Sequence, residues 1–284
     1  MIDREKLKEI LKKSAENEFA YPTECSMNEC IAAMLRHIGD PEPELRDVLI
    51  CSAFYVWLGD KKYGIGEELR TILHVLVDGE HLFKGIGENG TDSVFARTFS
   101  VLIVGLILNR HQETPFLAEE EFLETKNHVL RYYMEEKDLR GHMEDKGWAH
   151  GAAHGADAID QLAGCKELDA HMVMESLTAL RLMLHNGETV FCHEEDERMA
   201  RPVYRMIKHG KLGETEFERW MEQLCSCEHT VWDMKRYKSR INSKNFIRCL
   251  YFRLQHFGVG EGFKKILVEG EKRLNRYATL DKEI

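Results

Sequence analysis

Gly147-Trp148-Ala149-His150-Gly151-Ala152-Ala153-His154-Gly155-Ala156-Asp157 places His150, His154 and Asp157 at i, i+4 and i+7. An α-helix turns about 100° per residue, so the three side chains fall within an arc of roughly 60°. Gln161 continues the stripe, while Trp148, Ala152, Ala156, Ile159, Leu162 and Ala163 take the other side. The stretch predicts an amphipathic helix over 146–162. The same period extends in both directions along the chain, and no run alternates apolar and polar residues for long enough to predict a strand. Ser26-Met27-Asn28-Glu29 reads as a capping box that opens a helix to about residue 37. Pro41 and Pro43 precede a helix over 44–58. Thr91 or Asp92 caps one over 93–109, and others are expected over 3–17, 66–78, 117–136, 169–185, 194–208, 214–224, 229–257 and 260–277. About a dozen such helices with short connections predict an all-α chain of antiparallel helix pairs. A helix pair buries one face poorly alone and needs neighbours, which points to a HEAT/armadillo-like α-solenoid. A compact α/α arrangement is the alternative. No linker is rich in Gly, Pro or Ser, so residues 1–284 read as a single all-helical domain.

Composition narrows the function classes. The chain has 284 residues, 43% hydrophobic and 31% charged, with a formal net charge of −10. Such an acidic chain is a poor partner for bulk nucleic acid, whose phosphates need clustered Lys and Arg. Lys235 to Lys238, with Arg236 and Arg240, is a short basic stretch that reads as a solvated helix face. The longest apolar run, Val101 to Leu108, is far shorter than the roughly 20 residues a bilayer requires, and it reads as a buried core helix. No membrane association is expected. The opening Met1-Ile2-Asp3-Arg4-Glu5-Lys6-Leu7 is charged and shows no signal peptide, and eight scattered cysteines read as reduced thiols. These features predict a cytoplasmic protein.

The stripe has two readings, since any amphipathic helix has a polar face for solvent. Two features favour a site. Gly151 and Gly155 each cost about 1 kcal/mol relative to Ala in a helix interior, a cost that close approach of a backbone or ligand would justify. Glu135, Glu136, Asp138, Arg140, His142, Glu144 and Asp145 crowd the approach to the helix, where they could build a polar pocket. His150 and His154 have the spacing of a zinc-binding pair, with Asp157 as third ligand or as orienter of an imidazole. The peptidase motif requires Glu directly after the first His. Gly151 stands there, so that mechanism is not supported. The candidate ligand-binding residues are Arg140, Asp145, Trp148, His150, His154 and Asp157, and the candidate metal set is His150, His154 and Asp157.

Three other strings carry weaker signals. Cys225-Ser226-Cys227-Glu228-His229 offers soft ligands but no second pair. His193 or Glu194, in Cys192-His193-Glu194-Glu195-Asp196, is placed to face the histidine helix across a groove if helix ends align. Gly85-x-Gly87-x-x-Gly90 lacks a preceding strand and reads as a loop, not a dinucleotide site.

Gly147-Trp148-Ala149-His150, Ala153-His154 and Ala156-Asp157 together resemble an uncharacterised bacterial family, domain of unknown function 2785. Asp138-Leu139-Arg140-Gly141, Glu195-Asp196-Glu197-Arg198 and Asn245-Phe246-Ile247-Arg248-Cys249-Leu250-Tyr251-Phe252 extend the resemblance over most of the chain. It implies that Trp148, His150, His154 and Asp157 belong to a family pattern, and it implies no reaction.

Two functions compete. The first is a helical-repeat protein with a polar groove around Trp148 to Asp157 that binds a small ligand or a partner protein. The second is a metal-assisted hydrolase or lyase, with a divalent cation such as zinc on His150, His154 and Asp157 and an acidic neighbour in Glu144 or Asp145. A purely structural role for the stripe, capping neighbouring helices, is a third reading.

Overall fold

The computed structural model describes residues 2–227 and 233–278. It is all-helical apart from one two-stranded hairpin, and it divides into two compact units, Met1–Gln161 and Leu162–Ile284. The first unit contains α1 (Arg4–Glu16), α2 (Met27–Arg36), α3 (Ser52–Phe54), α4 (Gly66–Leu76), α5 (Ser93–Glu113) and α6 (Glu119–Glu135). The hairpin β1 (His142–Met143) and β2 (Gly147–Trp148) follows, and then α7 (Gly151–Gly164), within which the unit boundary falls. The second unit holds α8 (Ala170–Leu184), α9 (Glu195–Lys208), α10 (Glu214–Leu224), α11 (Met234–Phe257) and α12 (Glu261–Leu274).

The capping box at Ser26 forms as expected: the Ser26 hydroxyl accepts from the Glu29 N–H, and Glu29 accepts from the Ser26 N–H at 3.0 Å. The helix expected over 44–58 is wider than α-helical. Glu44–Cys51 and Tyr55–Asp60 are π-helical turns on either side of α3. At the end of the second, the Lys61 N–H donates five residues back to the Val56 carbonyl at 2.8 Å. Apolar spacing does not separate i+4 from i+5 bonding over so short a span, which is why the sequence does not reveal the widening.

The core helix of the first unit is α5. From Val94 to Leu108 every residue on it is buried. It is the one helix among the described residues long and apolar enough to cross a membrane, and most of it is buried inside the protein. Its burial on all sides explains the absence of a polar face. Gly105 and Arg97 stand out within this buried stretch. Gly105 lets α7 come close, since a Cβ there would lie 3.3 Å from the Ala158 Cα. Arg97 is wholly buried.

Candidate functional site

The histidine stripe begins before its helix. Gly147 and His150 have φ of 69° and 54°, left-handed values at the start of β2 and at the step from the hairpin into α7. Trp148 therefore sits on β2, paired with His142, and not on the helix. It is 37% exposed. The sequence favours one continuous helix here because its 3.6-residue period survives the turn, while the two left-handed residues leave no periodic trace. The His150 carbonyl still accepts the first helical bond, from the His154 N–H at 2.9 Å.

His150 and His154 are buried, so the solvated-face reading does not hold for them. Their rings belong to an aromatic column. The Trp148 ring stacks on His150 at 4.4 Å and 18°, His142 meets Trp148 edge-on at 4.9 Å, His150 meets His154 at 5.6 Å, and Phe99 closes on His154 at 5.3 Å. His154 Nδ1 lies 3.2 Å from the Thr98 carbonyl oxygen. A carbonyl only accepts, so Nδ1 carries the proton there. Among the described residues no group of three or more His, Cys, Asp or Glu side chains is placed to hold a metal ion.

Packing accounts for the glycines of α7. A Cβ on Gly151 would lie 3.3 Å from the Asp138 carbonyl oxygen and from Thr98, and one on Gly155 would lie 2.3 Å from the Tyr133 ring. Close approach by α5 and α6 is the cause. Gly155→Ala is accordingly expected to destabilise the protein by about 1–3 kcal/mol through overpacking. At an open helical position the same change would stabilise by about 1 kcal/mol. Urea unfolding of the variant distinguishes the two signs.

The charged approach to α7 forms internal ion pairs. Arg97 donates to both carboxylate oxygens of Glu136, at 2.7 and 2.9 Å, with both side chains wholly buried. Burial works against the Arg97 charge and Glu136 outweighs it, so the guanidinium pKa is raised. Arg140 is held by Asp138 at 2.6 Å and donates to the Thr91 carbonyl at 2.7 Å. Asp138 also accepts from the Gly90 N–H at 2.9 Å, and Arg97 donates to the carbonyls of Lys84 and Gly85. The Gly85-x-Gly87-x-x-Gly90 string is thus a loop tied down by Arg97 and Asp138. Glu144 and Asp145 lie exposed in the hairpin turn.

A second buried arginine, Arg46, escaped the sequence reading altogether. It lies over the rings of Phe95 at 4.0 Å and Phe99 at 4.9 Å. It donates to Asp47 at 2.8 Å and to the carbonyls of Asp40, at 2.7 Å, and Lys146, at 2.5 Å. Burial draws the Arg46 pKa down and pushes the Asp47 carboxyl up, so desolvation outweighs their mutual attraction. A lone Arg amid apolar residues is the signal that would have found Arg97. Arg46, between Leu45 and Asp47, gives no such signal.

Asp157 and Gln161, the far end of the stripe, line a cleft of about 320 Å³ with Tyr55, Asp60, Lys62 and Glu113. Lys62 bonds both oxygens of Glu113, at 2.8 and 2.6 Å. Gly59 and Gly105 also border the cleft and contribute no side chains to it.

The remaining candidates lie in the second unit. Glu194 takes a left-handed φ of 64° just before α9, and the Cys192 Sγ is 3.4 Å from His193 Nδ1. Cys225 and Cys227 are buried thiols. Their suggested companions Glu228 and His229 lie outside the described residues.

The model of a family described as a protein of unknown function (DUF2785) matches residues 82–252, more than half of the chain. The chain belongs to that family. The matched region takes in Arg97, Glu136, the hairpin, both buried histidines and Asp157. Neither the curated proteins nor the solved structures provide a match.

Proposed function

We propose that the protein is a binding protein whose first unit takes a small cationic ligand, an amine or guanidine, in the cleft at Asp157. One observation carries this reading: Asp60, Glu113 and Asp157 line one cleft against a single Lys62, which Glu113 already engages. The volume, about 320 Å³, suits a small molecule. Its wall is a π-helical turn, a form that recurs at functional sites. The column of Trp148, His150 and His154 fixes the start of α7 and so the position of Asp157 along it. As to architecture, α11 packs against both α9 and α12, which supports the finer reading of helix pairs stacked in HEAT/armadillo fashion.

Calorimetry and thermal melts with 1,4-diaminobutane, agmatine and arginine, beside 1,4-butanediol as neutral control, test the ligand class. A cationic ligand at about a hundred times its Kd is expected to stabilise the fold by about 2.7 kcal/mol. Asp157→Asn should weaken binding about tenfold. If the diol stabilises as well as the diamine, or Asp157→Asn binds like the parent, the reading fails.

A further inference from the structure

Helix α11 of the second unit carries Arg236, Arg240, Lys244 and Arg248 at successive i+4 positions, one row of cations about 6 Å apart along the axis. The row is incompletely neutralised. Arg236 lies 3.8 Å from Asp233, and Arg248 is held by Glu271 at 2.6 Å. Arg240 is buried rather than solvated. It donates to the Leu274 carbonyl, a neutral partner, at 2.8 Å and lies 5.3 Å from the centre of the Tyr237 ring. Lys244, between two guanidiniums, makes no hydrogen bond or ion pair among the described residues. Burial, then Arg248 and Arg240, draw its pKa down against the smaller opposing pull of Glu271. A part-buried ammonium that bonds no anion directly is a cost to folding that an external anion would relieve.

Sequence charge marks the same region. Residues 162–284 contain 21 Lys and Arg against 19 Asp and Glu, a formal +2, whereas residues 1–161 contain 18 against 30, a formal −12. Tyr237 and Tyr251 stand seven residues either side of Lys244, on its face of the helix, and both are half-buried.

We propose that this row docks an extended acidic segment of a partner protein. In an extended chain every second side chain points the same way, about 6.6–6.8 Å apart, close to the pitch of the row. Acidic residues of such a segment would meet Arg236, Lys244 and Arg248, the members of the row that solvent reaches, skipping buried Arg240, with the two tyrosines packing against the stems between them. The −10 of the whole chain works against a long polyanion such as nucleic acid, and less against a short peptide with few charges.

The test is anisotropy of a labelled peptide of about twelve residues, alternating Glu and Ala, titrated with the full chain. Saturable binding at about 50 mM salt is expected, weakening about fivefold or more by about 200 mM. Lys244→Glu should weaken it about tenfold and Lys244→Gln about threefold, since one central charge is reversed or removed. Lys265→Glu, an exposed change on α12, should leave it within about twofold. Lack of binding, full affinity in Lys244→Glu, or an equal loss in Lys265→Glu overturns the proposal. So does a single-stranded oligonucleotide of equal charge that displaces the peptide at lower concentration than unlabelled peptide does.

Discussion

Arg97→Met is expected to lower the unfolding free energy by about 3–5 kcal/mol at neutral pH, read from urea melts, although Met matches the shape of the Arg stem. The loss comes from what remains. Glu136 would stay buried with only the N–H groups of Lys137, at 2.9 Å, and Asp138, at 2.8 Å, to offset its charge. The carbonyls of Lys84 and Gly85 would lose their donor. Breaking a buried pair from one side leaves a charge that costs more than the intact pair contributes. Adding Glu136→Gln should therefore recover about 1–2 kcal/mol, making the double variant less damaged than the sum of the single ones. Simple additivity, or a cost below about 1 kcal/mol for Arg97→Met, would show that the pair is not what holds the glycine loop against α5 and α6.

How far such features could be read from sequence depends on whether they leave a periodic trace. Helix is a local property: the apolar run places α5, and Ser26 with Glu29 places the capping box of α2. The resemblance at Trp148 to Asp157 leads to the right family. The turn at Gly147 and His150 is invisible to periodicity, because two left-handed residues do not disturb the repeat on either side. The glycines of α7 signal a close approach correctly, but sequence cannot say whether a ligand or Tyr133 approaches. The charges before α7 look like an open pocket until their partners are known. Those partners include Arg97, about forty residues upstream, and pairing over such a distance leaves no local signature.

The same reasoning makes Arg46 the second severe site and links it to the hairpin. Arg46→Met is expected to cost about 3 kcal/mol and to loosen residues 142–150 specifically. Desolvation already outweighs the pairing with Asp47, so removing the charge is not itself the injury. The injury is an Asp47 carboxylate left with the Trp148 N–H but no guanidinium, together with the carbonyls of Asp40 and Lys146, which lose their donor. The Lys146 bond ties the π-helical turn Glu44–Cys51 to the hairpin that carries Trp148. Behind it, Met143 and Ala149 pack on Val94 and Phe95. Hydrogen exchange gives the local readout. The amides of Ala149 and His150 donate to the Gly141 and Arg140 carbonyls at 3.0 and 2.9 Å. In Arg46→Met they should exchange about tenfold faster or more, with a smaller change in the interior of α5. Adding Asp47→Asn should restore part of the global stability, because it removes the stranded charge, but not the amide protection, because no donor returns to Lys146. If both recover together, the stranded carboxylate alone explains the damage, and the tether from Arg46 to the hairpin has no part in fixing the start of α7.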